Sequence, residues 1–399
     1  MHHITTNMKG KQPKNLGDEN LKSLAFAPSP PWYWRIRMAL KGTNRQRLTC
    51  DDVPMRGLTG KWIIISGSNN GIGREAALSF ARCGANIVLA CRDPPSHEMQ
   101  PADVAMECKM ASEAAGHDKA IIEWWEVDMA TLHSVNAFAD RWLRTERPLD
   151  ILCNNAGIGG NPGDAQGILV KTEDNFEIVH QVNFLSHVLL TLRLLSSLAR
   201  AERPRVVCTT SCMMFFGTLN MDKFNSDGCK GEEFYCNNKL FLQIWLTELQ
   251  HRLSESERYS HILINGVHPG YTNTGIWHVA RPPGWISWIR QLPESILVTT
   301  LANLFAISAE QGSYAIVNAA FGPKTCPNGE IEQEGKGNEV GGRYFNRIWE
   351  AQAMPYCDDQ QSRSLVWNQA LRELDLEDGN LFELDRDQPA CPRQTIGLG

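Results

Sequence analysis

No run of about 18 apolar residues occurs in the 399-residue chain, which argues against a membrane-spanning helix. The N-terminal MHHITTNMKGKQPKN carries no apolar stretch of signal-peptide type, so secretion is not expected. An excess of positive charge is missing too: 39 Lys and Arg against 45 Asp and Glu leave a net charge of -6, which argues against a general nucleic-acid binder. The 12 cysteines include no CxxC pair. They are scattered through apolar runs (Cys91, Cys153, Cys208), a pattern of reduced, buried thiols and not of a disulfide framework or a zinc site. Internal repeats and low-complexity tracts are also lacking. The expectation is a cytoplasmic globular protein, with 42% hydrophobic and 21% charged residues and ample length for a core.

What is present is a rhythm. Short apolar runs rich in β-branched residues recur as KWIIIS (61–66), ANIVLAC (85–91), IIEWWEV (121–127), LDILCNN (149–155), RVVCTTS (205–211) and HILINGV (261–267). Helical periodicity fills the intervals, as in REAALSFARCG and YCNNKLFLQIWLTELQHRL. Near-continuous apolar strands alternating with helices predict an α/β fold, a doubly wound parallel sheet of Rossmann type covered on both faces. The expected organisation is a polar lead segment over 1–55, loosely ordered except for SPPWYWRIRMALKG at 29–42, a single catalytic domain over 56–350, and a C-terminal helix with an acidic tail over 351–399.

The first strand runs into a glycine turn and then a helix, KWIIISGSNNGIGREAAL, with Gly67, Gly71 and Gly73 in the order G-x-x-x-G-x-G. Such a turn needs backbone shapes that glycine adopts cheaply, and its free N–H groups at a helix N-terminus make a seat for a pyrophosphate. Taken alone it is equally well a structural tight turn. Its place after the first strand of a six-strand alternation favours the dinucleotide reading. Further along, Tyr235 and Lys239 stand four apart at the start of a helical run. Residues i and i+4 share one helix face, so a phenol and an ammonium can address one site. A nearby cation favours phenolate and lowers a pKa that starts near 10. The plainer reading is an amphipathic surface helix with one stray cation.

The motifs together resemble the classical short-chain dehydrogenases/reductases, from the glycine turn to about residue 350. The family's T-G-x-x-x-G-x-G appears as Ser66–Gly73 with serine for threonine. Asp128 in EVDMATL matches the adenine-ring aspartate, and Asn154, Asn155, Ala156 and Gly157 give the N-N-A-G. Asn183 in HQVNFLSH matches the helix asparagine, Ser211 the active-site serine, Tyr235 to Lys239 the Y-x-x-x-K, and Pro269–Gly270 the motif after the sixth strand. The resemblance implies a nicotinamide cofactor held by Gly67, Asn69, Asn70, Gly71, Ile72, Gly73, Asp128, Asn155, Ala156, Gly157, Tyr235, Lys239, Pro269, Gly270, Thr272 and Thr274. It implies Tyr235 as general acid/base, and Lys239 lowering its pKa while holding the nicotinamide ribose. Ser211 would stabilise the substrate oxygen and Asn183 would hold a relay water. NAD-using relatives end the second strand with an acid; here Cys91 and Arg92 stand there. Arg92 can pair with a 2′-phosphate, so NADP is expected over NAD, although Asn70 occupies a position where many NADP users place a second cation. The alternative is that Arg92 pairs with Asp93 at the surface. Metal-ligand spacing is not expected at this site.

VLACRD, LCNNAG and GGRYFNRIWE resemble the retinol-dehydrogenase-like branch, whose members often carry an N-terminal membrane helix. Substrate choice in the family resides after the sixth strand, here residues 271–297, where Trp277, Trp285 and Trp288 with Ile276, Ile286 and Ile289 form a candidate apolar lid, or simply pack it. A small, bulky apolar alcohol, ketone or aldehyde is expected: a retinoid, steroid, lipid or secondary metabolite. A non-catalytic NADP-binding regulatory protein is the competing reading. The lead segment interleaves Trp32, Tyr33 and Trp34 with Arg35, Arg37, Lys41, Arg45 and Arg47 over 29–47, which predicts either a helix lying flat on an anionic membrane or a segment docked on the catalytic domain. Oligomers are common in the family and are compatible with this chain.

Overall fold

The computed structural model describes residues 27–96, 98–164, 167–272, 306–322 and 341–378. Six parallel strands form where the apolar runs lie: β1 (Trp62–Ser66), β2 (Asn86–Cys91), β3 (Ile122–Glu126), β4 (Ile151–Asn154), β5 (Arg205–Thr209) and β6 (Leu263–His268). Two further short strands follow, β7 (Tyr344–Asn346) parallel to β6 and β8 (Trp349–Ala351) antiparallel to β7, giving the order β3-β2-β1-β4-β5-β6-β7-β8. The chain winds outward from β1 to β3, then crosses back to β4 beside β1. This reversal opens a crevice at the carboxyl ends of β1 and β4, the usual place for a ligand in such a sheet. The expected doubly wound α/β fold is what forms.

Each central strand is buried on both faces, and its alternate residues serve different cores. Ile63, Ile65, Ile87 and Leu89 meet α2 (Gly71–Arg82), α3 (Pro101–Ala114) and a helix near the end of the domain through Ala76, Phe80, Val104 and Ile316. Trp62, Ile64, Val88 and Leu152 face the opposite layer: α4 (Leu132–Leu143), α5 (Ile178–Leu198) and α6 (Glu233–Glu255). The helix that closes the first layer is α7 (Ala309–Phe321), and α8 (Gln360–Glu373) packs on α6 with Trp367 stacked on Trp245. By length and composition α5 would reach across a membrane, but 89% of its most apolar window is buried, as befits a core helix. The described cysteines are all free thiols, and nine of them are buried.

Within the lead segment, the aromatic and basic stretch forms a helix docked on the catalytic domain, one of its two expected readings. Helix α1 (Trp32–Lys41) packs on the 3-10 turn Cys212–Phe216, with the Trp34 ring edge-on to Phe215 and Met38 and Ala39 buried. The Arg35 guanidinium donates to the carbonyls of Phe215 and Gly217, 2.5 Å each. A side chain at Gly42 would sit 2.5 Å from Cys212 Cβ, so only glycine permits this approach. Beyond α1 the chain lies across the ends of β6 and β7. Arg347 donates to the Gln46 carbonyl (2.6 Å), and the Gln311 amide bonds both the N–H and the C=O of Leu48.

Candidate active site

The glycine turn is built by close backbone approach. Gly67 has φ 63°, and a Cβ there would lie 2.8 Å from Ala156 Cα. A Cβ on Gly73 would run into the Gly67 carbonyl and stand 2.5 Å from Asn155 Nδ2. Ser66 joins this turn to the strand beside it: its Oγ accepts from the N–H groups of Asn155 (2.9 Å) and Ala156 (3.0 Å). Asn155 returns the contact, donating to the carbonyls of Ser66 and Gly67. Asn70 caps α2 by accepting from Gly71 N–H, and Ile72 lies at the same helix start, facing α7 near Gly312. The concavity left by the side-chain-free glycines, at the positive end of α2, suits a pyrophosphate.

At the far end of this seat, Cys91 is buried with its Sγ 3.4 Å from Ser68 Oγ. Arg92 is exposed and pairs not with Asp93 but with Glu98, its Nη2 lying 2.7 and 2.9 Å from the two carboxylate oxygens. Asn69 donates to the Met99 carbonyl (3.2 Å), tying the same loop to the glycine turn. Asp128 is half-buried and one of its oxygens accepts from Ala130 N–H.

The second half of the site lies where β4, β5 and two helices converge. In α5 the segment Gln181–Leu185 is wound as a π-turn, an irregularity that disrupts the ordinary carbonyl pairing of a helix. It presents Asn183, whose amide is consumed at the Ile158 peptide: Oδ1 accepts from the N–H and Nδ2 donates to the C=O, 2.8 Å each. A Cβ on Gly157 would stand 3.1 Å from Asn183 Oδ1 and 3.6 Å from Lys239 Nζ, so the N-N-A-G turn, the asparagine and the lysine share one spot. Ser211 lies two residues beyond β5 and caps the turn that follows, and its hydroxyl is hydrogen-bonded to Tyr235. Tyr235 and Lys239 lie one turn apart on α6, both nearly inaccessible.

Electrostatics depart from expectation here. Burial pushes the Tyr235 phenol up, with the Ser211 hydrogen bond pulling weakly the other way. Burial holds Lys239 itself down to about 8, and its ammonium donates to the Thr209 carbonyl at 2.8 Å, 5.5 Å from the phenol ring centre. Two further groups carried no sequence signal. His187, one turn beyond Asn183, donates from Nε2 to the Ala156 carbonyl (2.8 Å), and burial holds it down to about 4. Thr209 supplies the carbonyl that orients Lys239.

Pro269 and Gly270 follow β6. Gly270 has φ 93°, a shape that favours glycine, and Thr272 is buried, bridged to Ile307. Thr274 and the candidate lid tryptophans Trp277, Trp285 and Trp288, with Ile276, Ile286 and Ile289, lie outside the described residues.

A family model described as short chain dehydrogenase matches residues 61–283. The chain belongs to the short-chain dehydrogenase family. Human retinol dehydrogenase 14 is 31% identical over 347 residues, covering 84% of this chain and 92% of that protein. Human retinol dehydrogenase 13 is 28% identical over 334 residues, covering 83% and 88%. Mouse polyprenol dehydrogenase is 31% identical over 318 residues, covering 78% and 83%. These relatives place this short-chain dehydrogenase in the retinol-dehydrogenase-like branch. Among solved structures, an uncharacterised Mycobacterium paratuberculosis protein shares the fold, with TM-score 0.54 and 23% identity, covering 83% of this chain and 98% of that one. As a short-chain dehydrogenase the protein is a hydride-transfer oxidoreductase that uses a nicotinamide cofactor and a small-molecule substrate.

Proposed function

We propose that the protein is an NADP-preferring oxidoreductase for a bulky apolar alcohol and its carbonyl partner, of retinoid, polyprenoid or similar lipid character. The observation that carries this reading is the meeting of Asn183 and Lys239 beside Gly157 of the N-N-A-G loop, with the hydrogen-bonded pair Ser211 and Tyr235 one helical turn from Lys239. The glycine turn, Asp128 and Asn155 would hold the dinucleotide, Arg92 its 2′-phosphate and Lys239 its ribose. When bound, the nicotinamide supplies or accepts the hydride. Ser211 then donates its hydroxyl to the substrate oxygen and stabilises the charge that grows there. Tyr235 holds its proton at neutral pH, the state needed to protonate a carbonyl oxygen during reduction. Because the Asn183 side chain is spent on Ile158, a relay water would rest on a main-chain carbonyl of the π-turn, leading the proton path toward Lys239.

The lipid character of the substrate is supported by the retinol and polyprenol dehydrogenases among the relatives, and by the outer face of α1. While Trp34, Arg35, Met38 and Ala39 dock inward, Trp32, Tyr33, Ile36 and Leu40 point outward, the first at 73% exposure, with Arg37 and Lys41 alongside. An apolar stripe flanked by cations suits peripheral contact with an anionic bilayer from the cytoplasmic side. The activity test is NADPH consumption with retinal, a short polyprenal and a panel of apolar ketones. Turnover of any of them supports the reading; binding of NADPH without turnover of any carbonyl would leave a non-catalytic binding protein.

A further inference from the structure

We propose that Glu98 is a specificity residue for the cofactor: its carboxylate occupies the Arg92 guanidinium in the free protein and competes there with the 2′-phosphate of NADP. The inference rests on the NADP reading above and adds to it a residue that works against Arg92. Both oxygens of Glu98 lie within 2.9 Å of Arg92 Nη2, the same donor group a phosphate would need.

Glu98 is not a stray surface acid. Its own N–H closes a turn onto the Pro95 carbonyl (2.9 Å), and the Gln100 amide braces that turn from Pro95 O and Glu98 O (3.1 Å each). The next residue, Met99, is tied to Asn69 of the glycine turn. The carboxylate is therefore presented at the end of β2 by a braced loop fixed to the phosphate seat. Cys91, whose thiol contacts Ser68, contributes no charge there. The formal charge of the Arg92–Glu98 pair is zero, so an arriving 2′-phosphate must displace one anion and tolerate its nearness. NADH, with a hydroxyl at that position, meets neither cost. Glu98 thus narrows the preference for NADPH that Arg92 alone would create.

The test uses the full chain and measures dissociation constants for NADPH and NADH by protein fluorescence. Glu98→Gln should tighten NADPH by about 2- to 5-fold, the range expected for freeing a half-exposed ion pair, and leave NADH unchanged. In an Arg92→Ala background the same substitution should have no effect, since the competition runs through the guanidinium. Unchanged NADPH binding in Glu98→Gln, with Arg92→Ala still selectively weakening NADPH, would overturn the role of Glu98 alone. Weakened NADH binding in Glu98→Gln would overturn it differently, making Glu98 an acceptor for the ribose hydroxyls. If Arg92→Ala weakens both cofactors equally, the NADP reading itself fails.

Discussion

Two fully buried imidazoles make folding stability depend on acid in a calculable way. Burial holds His187 and His268 down to about 4 each, from an ordinary value of 6.5. Each donates from Nε2 to one carbonyl, Ala156 and Gly42 respectively, while its buried Nδ1 has no protein partner among the described residues. Protonation would bury an unsatisfied N–H, next to Lys239 in one case and Arg347 in the other. Since the folded values are depressed, the unfolded chain binds the extra protons. Stability is therefore retained above about pH 6.5, falls as the pH drops from there, and levels off below about 4. Per histidine the loss between about pH 8 and pH 5 is ~2 kcal/mol, and the slope near pH 5 is ~1.2 kcal/mol per pH unit. Glu177 acts with opposite sign, because burial raises its carboxyl. The assay must therefore be differential. Urea unfolding is followed across this range for the natural chain, His187→Gln and His268→Gln; glutamine keeps a donor near Nε2 and cannot titrate. Each substitution should flatten the slope by about half of the pair's combined contribution. Curves parallel to the natural chain's would show that neither imidazole is held below its ordinary pKa in the fold and refute the reasoning.

Tyr235→Phe keeps the ring and removes the proton, so turnover should fall by ~10²–10⁴-fold while NADPH still binds, as read by steady-state rates beside fluorescence titration. Gly73→Ala should abolish cofactor binding, because its Cβ meets the Gly67 carbonyl and Asn155 Nδ2; circular dichroism would establish that the fold survives. The full chain should co-sediment with anionic liposomes at low salt and release as salt rises, and Trp32→Ser/Leu40→Ser should abolish this without changing NADPH affinity. Full-length protein left in the supernatant at low salt would remove the membrane proposal.

Strands β1, β2, β4 and β5 were legible because each is buried on both faces and so reads as a near-continuous apolar run; Ile63, Ile64 and Ile65 serve two cores at once. The glycine turn and the Tyr235–Lys239 pair were legible because close approach and helical spacing are local. Strands β7 and β8 escaped notice since each has three residues, joined by a turn in which Arg347 takes φ 58°. Glu98 as a neighbour of Arg92 was not legible because a braced loop, not sequence adjacency, brings it there. The spacing of Tyr235 and Lys239 carries no sign of their burial, a tertiary property that is the largest influence on both groups.

The terminal segments matter to the site for the same non-local reason. The turn Cys212–Phe216 begins at Ser211, and Gly217 at its end approaches the Cys236 carbonyl so closely that a Cβ would stand 2.6 Å away. That turn is therefore clamped between α1, through Arg35, and the first turn of α6, where Tyr235 sits. From the other side, Glu373 of α8 accepts or shares a proton with His180 Nε2 (2.8 Å), and His180 Nδ1 meets Asn238 Oδ1 (2.7 Å). Asn238 Nδ2 is already committed to the Phe234 carbonyl and Ser226 Oγ, which fixes the amide so that His180 Nδ1 must be the donor. His180 immediately precedes the π-turn of Asn183, and Asn238 immediately precedes Lys239. One end of the chain thus braces the serine and tyrosine, the other the asparagine and lysine, so all four side chains are held by segments distant from them in sequence.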